Sequence, residues 1–352
     1  MAEAKHLLSR ARYAAEQSVR VAWYMAHYTL SKKVAEAGVP GTEPPKRVIP
    51  ETKYDPKEAR RAFLDVFAQD LRNIEEGLYP APRDLDVRKL TRALDSSRRF
   101  LTDLSQVDAR RRKRAGRDLP EGIPADDLPA YYAQNFHYQS GGWLTEDSAR
   151  LYDTQVEVLF TGAADAMRRA ALAEIGRELR GKDQRKIKYV DAACGSGRFL
   201  AQTLDAFPRL NARAFDLSPA YTAAAREAAK PWPRADVCTA DITATPFPDA
   251  HFDIAGSVYL FHELPPAVRK QAAAELYRIT KPGGLFVFAD SVQTDDAPVF
   301  ARSIERFPDL FHEPYYRSYQ RTDLDALFAE AGFIAERHNV AFLTRVATYR
   351  RL

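Results

Sequence analysis

The sequence predicts an α/β fold, a mostly parallel sheet of about seven strands covered by helices on both faces, behind a helical N-terminal region. Three observations carry this. From residue 185 onward, short apolar runs alternate with helical stretches, the pattern of a doubly wound sheet. The front third instead repeats apolar residues at steps of three and four. Between them lies a proline-marked segment rich in aromatic residues. The expected division is therefore residues 1–130 as the helical region, 131–184 as an aromatic lid with a connecting helix, and 185–352 as the α/β domain.

In the front third, Phe63, Phe67, Leu71, Ile74 and Leu78 fall on one helical face, and Val87, Leu90, Leu94, Leu101 and Leu104 repeat the spacing. Proline-rich breaks at Pro40 to Pro50 and Pro80 to Pro82 separate these helices from each other and from one near residues 3–36. Residues 1–130 hold 25 Lys and Arg against 20 Asp and Glu, and the excess sits largely in Arg110, Arg111, Arg112, Lys113 and Arg114. Such a run without interleaved aromatics reads as a solvated helix end rather than a nucleic-acid groove. Pro120, Pro124 and Pro129 then mark a linker into Tyr131 to Trp143, which is either a loop packing its rings on the domain or a lid over a ligand.

The α/β part opens with a strand over Lys188 to Ala193, the turn Cys194-Gly195-Ser196-Gly197, and a helix from Arg198 to Phe207. A second strand, Ala212 to Phe215, ends at Asp216. Ser218 then caps a helix whose first residue is Pro219 and which runs to about Lys230. Arg234 to Thr239 is a third strand ending near Asp241, and Phe252 to Leu260 a fourth. Pro266 to Thr280 is helical, Lys281-Pro282-Gly283-Gly284 is a turn, and Leu285 to Ala289 is a fifth strand. Phe333 to His338 and Ala341 to Tyr349 pair as a closing hairpin.

Composition excludes other classes. The 352 residues are 45% apolar and 28% charged, an ordinary globular balance. Two cysteines, Cys194 and Cys238, build neither a disulfide framework nor a cysteine zinc site. No apolar run reaches the ~20 residues of a membrane helix. Lys5, Arg10, Arg12, Glu16 and Arg20 interrupt the N-terminus, so no signal peptide is expected and the reading is a cytoplasmic protein without a membrane span. The sequence is silent on oligomeric state.

The strongest local signal is Val190 to Leu200, where glycines directly follow the first strand. They let the chain turn sharply and a ligand approach the backbone, beside a helix N-terminus that offers free N–H groups. Leu200 stands where a dinucleotide fingerprint wants glycine or alanine, which argues against a nicotinamide or flavin enzyme. Asp216, at the end of the second strand, is placed to accept both ribose hydroxyls of an adenosine-containing ligand. Asp241 and Ile242, after the third strand, are placed to bind and cover an adenine. Acids on successive strand ends lie at the carboxyl edge, where open α/β sheets bind ligands.

These motifs resemble those of the class I S-adenosylmethionine-dependent methyltransferases, and Phe247 to Asp253 and Lys281 to Gly284 are also similar to that family. The likeness covers roughly residues 150–350 and leans towards the ubiquinone/menaquinone C-methyltransferase-like branch. It implies a Rossmann-like fold and S-adenosyl-L-methionine as cofactor. The residues implied to hold the cofactor are Asp191, Ala193, Cys194, Gly195, Gly197, Asp216, Leu217, Asp241, Ile242 and Val258. Ala193-Cys194 departs from the more common glycine before the Gly-x-Gly and keeps a small residue there. The aromatic lid and His312 to Tyr316 resemble those of a subgroup of bacterial and plastid homologues.

On the acceptor side, His262 follows the fourth strand and is either a proton acceptor or a packed strand-end histidine. His137, Tyr138 and Trp143 of the aromatic segment are expected pocket residues, as are His312, Tyr315 and Tyr316, which together with Glu313 are alternatively plugs of the sheet's edge. No histidine pair has metal-ligand spacing, and no Gly-x-Ser-x-Gly elbow suggests a hydrolase. Many rings with few charges favour a small apolar or aromatic methyl acceptor over nucleic acid, with C- or O-methylation preferred. The alternatives are a non-catalytic cofactor-binding module and a methyltransferase acting on protein or RNA.

Overall fold

Residues 188 to 351 supply all seven strands of one sheet: β1 (Lys188–Ala192), β2 (Asn211–Asp216), β3 (Ala235–Thr239), β4 (Phe252–Val258), β5 (Thr280–Ser291), β6 (Phe333–Ala341) and β7 (Thr344–Arg351). Their order is β3-β2-β1-β4-β5-β7-β6. The first five pair in parallel, and β7 joins β5 antiparallel with β6 outside it. The computed structural model describes residues 2–37, 54–82, 90–119 and 128–352. The Pro40 to Pro50 break, Val87, Pro120 and Pro124 lie outside them.

The central strands are buried on both faces, as parallel strands with helices on either side must be. One apolar layer joins β1 and β2 to the helices that precede and follow them, and a second packs Phe261, Phe286, Phe288 and Phe328 on the opposite face. Strand β6 closes the edge with exposed Glu336, Arg337 and His338, a charged rim that discourages further strand pairing. The Lys281-Gly284 turn forms within β5. Thr280 pairs with Phe252, pairing resumes only at Ile254 with Leu285, and Pro282 and Gly283 stand out into solvent.

Eleven helices are described: α1 (Ala2–Ala37), α2 (Pro56–Glu75), α3 (Leu90–Lys113), α4 (Glu146–Leu159), α5 (Ala164–Leu179), α6 (Arg198–Ala206), α7 (Pro219–Ala229), α8 (Pro266–Ile279), α9 (Ala301–Phe311), α10 (Tyr316–Tyr319) and α11 (Leu324–Ala331). Local chemistry sets their starts. Asp55 accepts the Lys57 amide at 2.8 Å ahead of Pro56, and Ser218 accepts that of Tyr221 at 3.3 Å ahead of Pro219.

The N-terminal helices dock on α4 and α5 through buried ion pairs as much as through apolar stripes. The Asp70 carboxylate of α2 receives Arg169 of α5 at 2.6–3.0 Å, Tyr13 of α1 at 2.5 Å and Tyr79 at 2.7 Å. The second predicted stripe is corrected. Leu94 and Leu101 face solvent, and α3 instead buries Ser97, Phe100, Asp103 and Asp108. The basic run at the end of α3 is also not a bare solvated end. Arg110 donates to the Tyr138 carbonyl at 2.9 Å and to the Ser140 hydroxyl, while Arg111 and Arg112 both pair with Asp108. Only Lys113 and Arg114 remain exposed.

Candidate active site

The chain reverses direction in the sheet between β1 and β4, and the crevice outside their carboxyl ends is where such sheets take ligands. A cleft lies there. Beyond β1, Ala193 (φ 55°) and Gly195 (φ 54°) turn the backbone left-handed into the start of α6. Asp191, Ala193, Cys194, Gly195, Asp216, Leu217, Ile242 and Val258 all line the cleft, so eight of the ten expected cofactor residues converge.

Two do not. Gly197 (φ 80°) is held by packing, because a Cβ there would stand 2.9 Å from the Ala225 Cα of α7. Glycine at 197 thus serves the close approach of α6 to α7. Asp241 stands beside the cleft wall and its Oδ1 accepts the Thr243 amide and hydroxyl, both at 2.8 Å. Its neighbour Ile242 forms the wall.

The two central acids differ in what holds them. Burial raises the pKa of Asp216, while backbone amides act against it: Oδ2 accepts Gly195 N at 3.0 Å and Oδ1 accepts Ser218 N at 2.9 Å. Asp191 has less help. It is 1% exposed, its Oδ2 has no hydrogen-bond partner, and burial followed by the Asp216 charge pushes it up to about 8. It faces the cleft as a carboxyl ready to ionise for a cationic group.

Tyr131, Tyr132, Phe136 and Trp143 form the cleft's other wall. The aromatic segment therefore both packs and covers: Phe136 stacks on Trp143 at 5.9 Å, and Trp143 meets Tyr152 and Tyr221 edge-on. Ala193 and Tyr259 line the cleft in left-handed conformations that cost of order 1–3 kcal/mol each.

A second chamber adjoins the cleft and shares Tyr152, Tyr259 and Glu263 with it. Val156, Leu159, Phe160, Ile304, Phe307 and Leu343 give it apolar walls, and His137, His262, Ser291 and Tyr316 supply polar groups. Of the expected acceptor residues, His137, His262 and Tyr316 line this chamber and Trp143 lines the cleft. Tyr138, His312 and Tyr315 line neither cavity. Tyr138 packs on the His312 ring at 5.4 Å, His312 Nε2 sits 3.0 Å from Gln134 Oε1, and the Tyr315 carbonyl accepts Arg269.

His262 is both packed and chemically engaged. Its Nδ1 lies 2.5 Å from Asp290 Oδ1, and Asp290 is further fixed by the Phe261 and Ser291 amides at 2.7 Å. Burial opposes a charge on the ring, yet the Asp290 carboxylate outweighs it and lifts His262 to about 9. At neutral pH the ring carries both protons and is a donor rather than a ready base.

Sequence reading missed Asp290, although its place at the carboxyl end of β5 is the same signal that identified Asp216. It also missed Arg269, which is fully buried and ties the Phe261 carbonyl to the Tyr315 carbonyl and the Ser318 and Thr322 hydroxyls at 2.8–3.0 Å. Nothing local to α8 signals that clamp. A third set, His137, Glu263 and Glu313, lies far apart in the chain yet converges within 4.8 Å, which no local metal-ligand spacing reveals.

Residues 190–284 match the family described as a methyltransferase domain. The 2-methyl-6-phytyl-1,4-hydroquinone methyltransferase of Synechocystis sp. is 34% identical over 113 residues, 31% of this chain and 34% of that protein. A malonyl-[acyl-carrier protein] O-methyltransferase of Paenibacillus sp. is 29% identical over 54% of this chain and 69% of its own length. The ubiquinone/menaquinone biosynthesis C-methyltransferase of Methylobacterium nodulans is 29% identical over 42% and 57%. The chain thus spans about a third of the hydroquinone methyltransferase and over half of the other two. Among solved structures, a SAM-dependent methyltransferase from Aquifex aeolicus aligns with 51% of this chain and 88% of its own, at 18% identity and a TM-score of 0.39. Among the described residues no helix is long and apolar enough to cross a membrane. Residues 190–284 thus carry the match to a methyltransferase domain, and the curated relatives named above are methyltransferases.

Proposed function

We propose that the protein moves the methyl group of S-adenosylmethionine to an oxygen or carbon of a small, largely apolar acceptor seated in the second chamber. The observation that carries this reading is the wall shared by the two cavities. A cofactor in the cleft and an acceptor in the chamber would meet at Tyr152, Tyr259 and Glu263. In this reading Asp191 takes the cofactor's ammonium, Gly195 passes beneath its amino-acid portion, Asp216 holds the ribose, and Asp241 with Ile242 meets the adenine.

In the transfer, the carbon–sulfur bond breaks as the acceptor's bond to the methyl carbon forms, and S-adenosylhomocysteine leaves. The sulfonium is already activated, so alignment and exclusion of water supply most of the acceleration, about 7–11 kcal/mol for well-oriented reactants. The acceptor hydroxyl would give its proton to solvent on entering, and the His262 imidazolium would donate to the oxyanion left behind and favour it; for transfer to carbon, the displaced ring proton would likewise leave to solvent afterwards. One relative is named for a phytyl hydroquinone, an apolar molecule bearing hydroxyls, and such chemistry suits apolar walls with a few polar groups at one end.

The test is incubation with methyl-labelled cofactor and fractionated cell extract. Label is expected in a solvent-extractable small molecule. Label confined to protein or RNA, or no transfer at all, would contradict the proposal.

A further inference from the structure

Three ligand-type side chains from separate parts of the chain meet at the polar end of the acceptor chamber. One donor atom from each of His137, Glu263 and Glu313 lies within 4.8 Å of the other two. Atoms held about 2.1 Å from a common metal ion stand roughly 3–4.2 Å apart, so small side-chain rotations close the set.

Glu313 supplies an independent sign that something is bound there. Its side chain is fully buried, and neither carboxylate oxygen accepts a hydrogen bond. His137 Nε2 stands 2.7 Å from Oε1 without the alignment that a hydrogen bond needs. Oε2, buried away from water and facing no donor, is held at a cost that a bound cation removes. The other two side chains are fixed from behind. Trp143 Nε1 donates to Glu263 Oε2 at 2.9 Å, and the His137 ring is clamped by Trp143, Phe307 and Phe311 at 5.6–5.9 Å. Outer contacts of this kind orient metal ligands.

We propose that His137, Glu263 and Glu313 bind one divalent first-row cation of the Mn²⁺, Fe²⁺ or Zn²⁺ class. One imidazole with two carboxylates suits these ions better than Mg²⁺ or Ca²⁺, which favour all-oxygen shells, or Cu(I), which takes sulfur. Because His137 and Glu263 line the chamber, the remaining coordination positions face it and would take an oxygen of the acceptor. That last step rests on the methyl-transfer reading. Cation binding does not, and it is measured without cofactor.

Mn²⁺ alone is the probe, added to the full chain and followed by electron paramagnetic resonance. One equivalent is expected to bind at sub-millimolar concentration, with nitrogen modulation from His137 in the pulsed spectrum. Glu313→Gln keeps the shape and His137→Asn tolerates the left-handed backbone, and each should weaken binding about tenfold or more. His137→Asn should also abolish the nitrogen signal, while Glu336→Gln on the distant β6 edge changes nothing. Circular dichroism establishes that each variant is folded. Absence of the one-equivalent site in the wild type, or wild-type binding by both folded variants, overturns the proposal.

Discussion

Asp191 offers the sharpest consequence of the cleft's electrostatics. In the free protein its pKa stands at about 8, so at pH 7 about nine-tenths of the carboxyls are protonated. A cofactor ammonium about 3 Å away contributes roughly 5 kcal/mol at an effective dielectric near 20, about four pKa units, which returns Asp191 to near 4. Binding between these values therefore releases close to one proton. Affinity should climb about tenfold per pH unit, or roughly 30-fold from pH 5.5 to 7.0, a window in which the ligand's own α-amino group stays charged. Calorimetric titration in buffers of differing ionisation enthalpy reads the proton count directly. Asp191→Asn should flatten the pH profile, release no proton, and bind about 10- to 100-fold more weakly at pH 7. The unliganded variant should also gain stability near neutral pH. The folded wild-type carboxyl keeps its proton to a higher pH than the unfolded one, so wild-type stability falls as pH rises from about 4 towards 8. A flat wild-type profile with no buffer dependence would refute the pairing of Asp191 with the cofactor.

Further outcomes follow from the packing around the site. Asp70→Ala removes the carboxylate shared by Arg169, Tyr13 and Tyr79, and should cost about 3–5 kcal/mol in urea unfolding. A loss under about 1 kcal/mol would show that this hub does not hold the N-terminal helices to the domain. Gly197→Ala meets both a left-handed backbone and the Ala225 main chain, so it should lose at least ~1–3 kcal/mol of thermal stability. A wild-type melting point would mean α6 and α7 can part freely. Arg110→Ala should free the Tyr138 to Ser140 segment, read as faster limited proteolysis there and a lower kcat/KM, with cofactor affinity little changed. Unaltered proteolysis would show that the loop holds itself.

How far the sequence was legible depends on the range of the physics involved. Alternating apolar runs and helices report local amphipathicity, so the seven strands, the Ser218-Pro219 start and the closing hairpin all follow from short windows. The acids at 191 and 216 were readable because a strand end is itself a local feature. Periodicity does not name a helix's partner, however. The leucine stripe of α3 faces solvent at Leu94 and Leu101 because α1 and α4 take hold of the Phe100 and Leu104 side instead. Buried charges are equally deceptive. Asp70 and Arg169 are 99 positions apart and look like surface residues in sequence. Asp290 with His262, and Glu313 with His137, likewise depend on pairings that only the folded sheet creates. The rings at 131–143 announced themselves by composition, but which ones face a cavity is decided by the folded backbone, including left-handed conformations at 137 and 138 that no residue type there requires.

The central claim is that cofactor and acceptor occupy adjoining cavities that meet at Tyr152, Tyr259 and Glu263. A crystal structure with S-adenosylmethionine bound tests it most directly. The cofactor should lie along the ends of β1 and β2, with its ammonium on Asp191, its ribose on Asp216, and its methyl group directed across that shared wall into the chamber. Cofactor density elsewhere, or a methyl group turned away from the chamber towards solvent, would contradict the account.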